Sequence, residues 1–225
     1  MPGLTVGGHV REHGSLLAVA EKRALIWMAE RLPRWVSSDQ LSLLGLGAML
    51  AAGLAYWASG SHPLALWLVV VALGVNWFGD SLDGTVARVR NQQRPMYGYY
   101  VDHVIDLIGA LFLLGGLALS GYMTPLVAFG LLIGFLMLSA ETYLATHACG
   151  TFRLSLLKVG PTELRILLVV GTLYLLYKPW VEVAGGLYRL FDVGGVVAIG
   201  GMALALAVAV ARNTRDLYRA EPLPR

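Results

Sequence analysis

Four aspartates stand out in this apolar chain: Asp80, Asp83, Asp102 and Asp106, all within the stretch GDSLDGTVARVRNQQRPMYGYYVDHVIDLIG, residues 79 to 109. They sit at the edges of long apolar runs, where a carboxylate is costly to keep. On an α-helix, Asp80, Asp83, Gly84, Ala87 and Arg88 fall at i, i+3, i+4, i+7 and i+8, a single stripe. Gly98, Asp102 and Asp106, at i, i+4 and i+8, make a second stripe. Two adjacent antiparallel helices bring the four carboxylates to one depth, near a membrane surface. Crowded carboxylates repel and cannot all stay ionised unaided, and a pair of divalent cations would neutralise them. Oxygen-only donors, with no Cys or paired His beside them, favour the hard ions Mg²⁺ or Mn²⁺. Two such ions a few ångströms apart form a clamp for phosphoryl chemistry, stabilising charge on the attacking and leaving oxygens. Gly84 and Ala87 remove bulk from the stripe so that a ligand can approach the backbone. Arg88 offers a planar donor fork to phosphate. The pattern reads as a diphosphate held by metals and an arginine.

The elements that carry these stripes belong to a membrane protein. Apolar residues make up 57% of the 225 and charged residues 14%, where a soluble domain carries about a quarter charged. Six apolar segments have the length of a bilayer-spanning helix, near 40–59, 64–84, 99–120, 124–146, 163–180 and 193–211. Turn formers separate most of them: SGSHP at 59–63, SGYMTP at 120–125 and GP at 160–161. Residues 15–35 read as an amphipathic helix lying in the interface, with Leu17, Ala20, Ala24, Trp27 and Met28 at helical spacing. The expected fold is an all-α bundle of six transmembrane helices preceded by that helix. Residues 1–37 form a cytoplasmic N-terminal segment, 38–213 the membrane domain and 214–225 a short tail.

Orientation follows from the cations. Of the 17 Lys and Arg, all but Lys178 and Arg189 fall on one side of this arrangement, which places both termini and the aspartate-rich connection in the cytoplasm. A bacterial inner membrane is the expected host. The first forty residues interleave charges with apolar residues and show no cleavable leader pattern. The single cysteine, Cys149, excludes an intramolecular disulfide framework. A net charge of +3 gives no argument for nucleic acid.

The motif D-x-x-D-G-x-x-A-R, nine residues, then G-x-x-x-D-x-x-x-D, read at Asp80, Asp83, Gly84, Ala87, Arg88, Gly98, Asp102 and Asp106, resembles the signature of the CDP-alcohol phosphotransferases. The resemblance implies that Asp80, Asp83, Asp102 and Asp106 are metal ligands and that Asp106 also removes the acceptor hydroxyl proton. Gly84, Ala87 and Arg88 would face the CDP-alcohol. The reaction it implies moves a substituted phosphate from the CDP-alcohol to an alcohol and releases CMP, in phospholipid synthesis, by an enzyme that is a homodimer in many members. CDP-diacylglycerol with a polar acceptor and a CDP-aminoalcohol with diacylglycerol fit the motif equally.

Weaker signals surround it. Tyr143, His147, Gly150, Thr151 and the run Gly160-Pro161-Thr162-Glu163 loosely resemble the choline and ethanolamine branch, as does the pair Asp102-His103. Asn76, one turn before Asp80, is placed to bond cytidine or a neighbouring helix. His103 and Glu141 are candidates for the substrate pocket, with packing and pairing as the plain alternatives. Arg153 and Lys158 would grip a phosphate or serve as ordinary interfacial cations. Trp57, Trp67, Tyr174, Tyr177 and Trp180 fit interfacial belts. The rival reading is a cation or proton transporter. It predicts acids at the midplane and repeat symmetry, neither of which the sequence shows, and gives Gly84 and Arg88 no role.

Overall fold

The computed structural model describes residues 18–149 and 161–221. In chain order the elements are α1 (Ala18–Arg31), α2 (Ser38–Ser59), α3 (Ala65–Val89), α4 (Pro95–Leu119), α5 (Pro125–Cys149), α6 (Pro161–Tyr177), the strands β1 (Trp180–Val183) and β2 (Gly186–Arg189), and α7 (Leu190–Ala220). Helix starts are written locally. Ser37 caps α2 in a reciprocal capping box with Gln40, the two bonds measuring 3.2 and 2.9 Å. Proline opens α4, α5 and α6, where its missing N–H costs nothing.

Among the described residues, α2, α3, α4, α5 and α7 are long and apolar enough to cross a membrane. The 17 residues of α6 are not among those five. The helices bearing the aspartates overrun their apolar runs: α3 continues to Val89 and α4 begins at Pro95. Hydropathy loses the helix where Asp and Arg enter it, but the backbone hydrogen bonds continue into the polar zone. The antiparallel hairpin β1–β2 was not expected. It turns on Ala184 and Gly185, both with positive φ (51° and 80°), as a two-residue turn of the I′ type requires.

Small residues decide how closely the site helices approach. A Cβ on Gly79 of α3 would lie 2.6 Å from the Leu41 carbonyl oxygen and 2.8 Å from the Gly45 nitrogen of α2. A Cβ on Gly116 of α4 would strike the Gly53 carbonyl of α2, and one on Gly53 the Phe112 carbonyl. Backbone thus packs on backbone on both sides of α2, as small residues allow in membrane bundles. Tyr56, Leu66, Val69, Leu73, Leu113 and Leu117 fill the main core. Within it, the buried Tyr56 hydroxyl and Thr172 Oγ1 satisfy each other at 2.6 Å, tying α2 to α6.

A second core lies under α1, where Leu25, Met28, Ala29 and Leu32 meet Leu41, Leu82 and Val86. The docked stripe is rotated from the expected one: Met28 is shared, but Ala24 faces outward and Trp27 is 56% exposed. The apolar ends of α2 and α3 take one face of α1, leaving Ile26 and Trp27 outside. Arg90, the C-cap of α3, donates to the Leu32 and Pro33 carbonyls just past the end of α1 at 3.0 Å each and to the Val36 carbonyl at 2.5 Å, tying the α1–α2 connection to α3.

Candidate active site

Asp80 and Asp83 come from α3, Asp102 and Asp106 from α4, and all four line one cleft. One carboxylate oxygen from each of Asp80, Asp102 and Asp106 lies within 4.8 Å of the other two. That span is about twice a metal–oxygen bond of ~2.1–2.4 Å, and the donor set is all oxygen. The three carboxylates therefore fit a hard divalent cation. Asp106 is exposed while Asp80 and Asp102 are half-buried, so the trio opens to the surface at Asp106.

Asp83 stands apart from the trio. Its Oδ2 accepts from Ser42 Oγ of α2 at 2.6 Å, and its Oδ1 accepts from the Gly84 N–H. Residues three apart diverge by about 60° around a helix, so Asp80 meets α4 while Asp83 turns to α2. Ser38 Oγ also donates to the Asp83 carbonyl at 2.9 Å, which fixes this turn against α2.

Arg165 of α6 reaches into the same cleft and places NH2 2.5 Å from Asp80 Oδ2. Read from sequence, it counted only as one cation of an inside-facing connection. Its partner is 85 residues away, and no local spacing announces the pair. Glu21 was likewise missed. From α1 its Oε1 accepts from Trp77 Nε1 of α3 at 2.9 Å and from Thr162 Oγ1 of α6 at 2.8 Å.

The remaining candidates divide. Gly84 leaves room for Arg88: a Cβ there would sit 3.4 Å from the Arg88 guanidinium, which bonds Thr85 Oγ1 at 3.0 Å. Ala87 is half-buried on the same stripe. Asn76 lines the cleft and donates Nδ2 to the Gly45 carbonyl at 3.0 Å. His103 places Nδ1 3.9 Å from Asp102 Oδ2 and packs between aromatic rings, 4.1 Å from the Tyr99 ring and, edge-on, 4.9 Å from the Tyr143 ring by centroids. Glu141 accepts from Asn213 Nδ2 at 2.7 Å, joining α5 to α7, and does not line the cleft. Arg153 and Lys158 lie outside the described residues.

A family model described as CDP-alcohol phosphatidyltransferase matches residues 35–211, which include all four aspartates. The chain belongs to the CDP-alcohol phosphatidyltransferase family. Cholinephosphotransferase 1 of Xenopus laevis is 27% identical over 153 residues, which is 64% of this chain and 37% of that protein. Cholinephosphotransferase 1 of Gallus gallus is 28% identical over 177 residues, 75% of this chain and 51% of the relative. The chain thus spans about a third to a half of the length of these relatives. A crystal structure of Mycobacterium tuberculosis phosphatidylinositol phosphate synthase with CDP-DAG bound superposes with a TM-score of 0.62 at 18% identity, covering 90% of this chain and all of that one. That likeness concerns the fold, a helical membrane bundle.

Proposed function

We propose that this member of the family transfers a substituted phosphate from a CDP-alcohol to an acceptor alcohol and releases CMP. The observation that carries the reading is the convergence of Asp80, Asp102 and Asp106 from two helices in a cleft that also holds Arg165. Asp80, Asp102 and Asp106 would hold Mg²⁺ or Mn²⁺, with Asp83 completing the set on release from Ser42. A bound divalent cation neutralises the phosphates and stabilises charge on the reacting oxygens. Arg88, steadied by Thr85 beside Gly84 and Ala87, binds the diphosphate end of the donor. Asp106, at the open edge of the trio, takes the proton of the acceptor hydroxyl. The freed oxygen bonds to the phosphorus that carries the donor's alcohol, and the bond from that phosphorus to the oxygen of the departing CMP breaks.

The surrounding assignments follow from this site. Residues 38–213 form the transferase domain, with 1–37 ahead of it and the tail 214–225 behind. We place α6 as a sixth crossing, supported by the buried Tyr56–Thr172 bond to α2. α1 lies in the cytoplasmic interface, supported by the outward Ile26 and Trp27. Both termini and the site face the cytosol, and the protein works as a homodimer in a bacterial inner membrane. Asp106→Asn tests the central role. CMP release is expected to vanish while CDP-alcohol binding survives at saturating divalent metal, because the amide oxygen can still ligate the cation but cannot take a proton. Loss of binding in step with loss of rate would refute that role.

A further inference from the structure

We propose that Asn76 Oδ1 docks the hydroxyl of a lipid alcohol, so that the acceptor of this enzyme is the lipid and the donor carries the polar headgroup. The inference rests on the transfer reaction proposed above and decides between its two substrate assignments. Asn76 is 6% exposed and lies on α3 one turn before Asp80, on the side away from Arg88. Its amide cannot be reversed. Nδ2 donates to the Gly45 carbonyl at 3.0 Å, and turning the group over would set oxygen against oxygen. Oδ1 is then left buried with no hydrogen-bond partner, alone in this among the side-chain atoms of the described residues. Leaving a buried acceptor unpaired is costly, and such atoms call for an explanation.

The cleft supplies one. Asn76 lines it at the junction between the carboxylates and an apolar end formed by Met49, Leu73, Leu113 and Leu168. A ligand part seated there is apolar and must carry a hydrogen-bond donor. The diacylglyceryl part of CDP-diacylglycerol offers only ester oxygens, which accept. An ionised diphosphate also only accepts. Cytidine and ribose carry donors, but they belong with the diphosphate at the Arg88 end. A diacylglycerol-type alcohol has an apolar body and one O–H, and it matches both requirements. That O–H rests on Asn76 as the lipid docks and turns to Asp106 when its proton is withdrawn. The contact therefore acts on acceptor binding and not on the chemical step.

The test pairs a change in the ligand with a change in the protein. In nanodisc-embedded wild type, CMP release from CDP-choline or CDP-ethanolamine is measured with a short-chain diacylglycerol as acceptor. The methyl ether of that diacylglycerol, which lacks the donor hydrogen, is titrated as a competitor against its hydroxyl-bearing parent. The ether is expected to bind about tenfold more weakly in wild type, the value of one hydrogen bond. In Asn76→Ala the two should bind alike, with the acceptor KM raised about tenfold and kcat not reduced. Equal binding of ether and parent by wild type would overturn the assignment, whatever the variant's stability. So would CMP released only from CDP-diacylglycerol with polar acceptors, a result that leaves the transfer reaction standing. No CMP from any pair would instead strike the reaction itself.

Discussion

Replacing Glu21 by alanine cuts a junction of three helices, and the structure sets the size of the effect. Glu21 Oε1 receives the Trp77 indole N–H at 2.9 Å and the Thr162 hydroxyl at 2.8 Å. Trp77 precedes Asp80 by three residues and Thr162 precedes Arg165 by three, and Asp80 and Arg165 meet at 2.5 Å. The contact thus closes a loop through α1, α3 and α6 that sets Arg165 against the carboxylates. A hydrogen bond to a charged acceptor contributes about 1.5–3 kcal/mol. The Thr162 bond is the one that ties α6 to this junction, so a net loss of about 2–3 kcal/mol is expected for its first turns. That corresponds to about 30-fold to 160-fold more frequent opening of the first turns of α6. Hydrogen exchange of peptides covering residues 161–168 reads it directly: Glu21→Ala should accelerate exchange there by that factor. Glu21→Gln, which keeps the acceptor oxygen, should recover most of the protection. Thr162→Val should resemble Glu21→Ala, and the double variant should be no worse than the more damaging single one. Unchanged exchange in folded Glu21→Ala, or effects that simply add, would refute the reasoning.

Two further outcomes follow from the geometry. Gly116→Ala drives a methyl into the Gly53 carbonyl, whereas Gly115 has open space at the same position. Gly116→Ala should cost about 1–3 kcal/mol in thermal or denaturant unfolding and Gly115→Ala within about 0.5 kcal/mol; equal effects would refute the close α2–α4 approach. Arg165→Gln removes a cation that competes for Asp80. The Mn²⁺ affinity of the purified protein should rise about tenfold, a shift of ~1.4 kcal/mol, and a weaker affinity would show that Arg165 does not compete with metal for this site.

The fold was legible where periodicity and composition carry it. The apolar runs became helices, and the two aspartate stripes face one cleft as expected, but α3 and α4 are not neighbours: each packs on α2, and their carboxylates meet across the cleft. Their ends were misread since hydropathy falls at Asp and Arg before the helix does, as Val89 and Pro95 show. The hairpin escaped because its strands, WVEV and GLYR, are only four residues each, too short for an alternating pattern to stand out between two apolar runs. What the sequence withheld was pairing at long range. That Asp83 would turn to Ser42, Asp80 to Arg165 and Glu21 to both Trp77 and Thr162 depends on which helices lie side by side. Spacing within one helix carries no such information. Arg90 shows the same limit: it was counted as a surface cation, yet it ties the α1–α2 connection to α3.

The measurement that tests the central claim most directly is CMP release by the purified protein in lipid nanodiscs. CDP-choline, CDP-ethanolamine and CDP-diacylglycerol would be crossed with diacylglycerol, inositol, inositol phosphate, serine and glycerol phosphate, each with Mg²⁺ or Mn²⁺ and again with chelator. The account predicts CMP from a CDP-aminoalcohol with diacylglycerol, abolished by chelator and by Asp106→Asn. No CMP from any pair, in folded protein that binds neither divalent metal nor a CDP-alcohol, would contradict it.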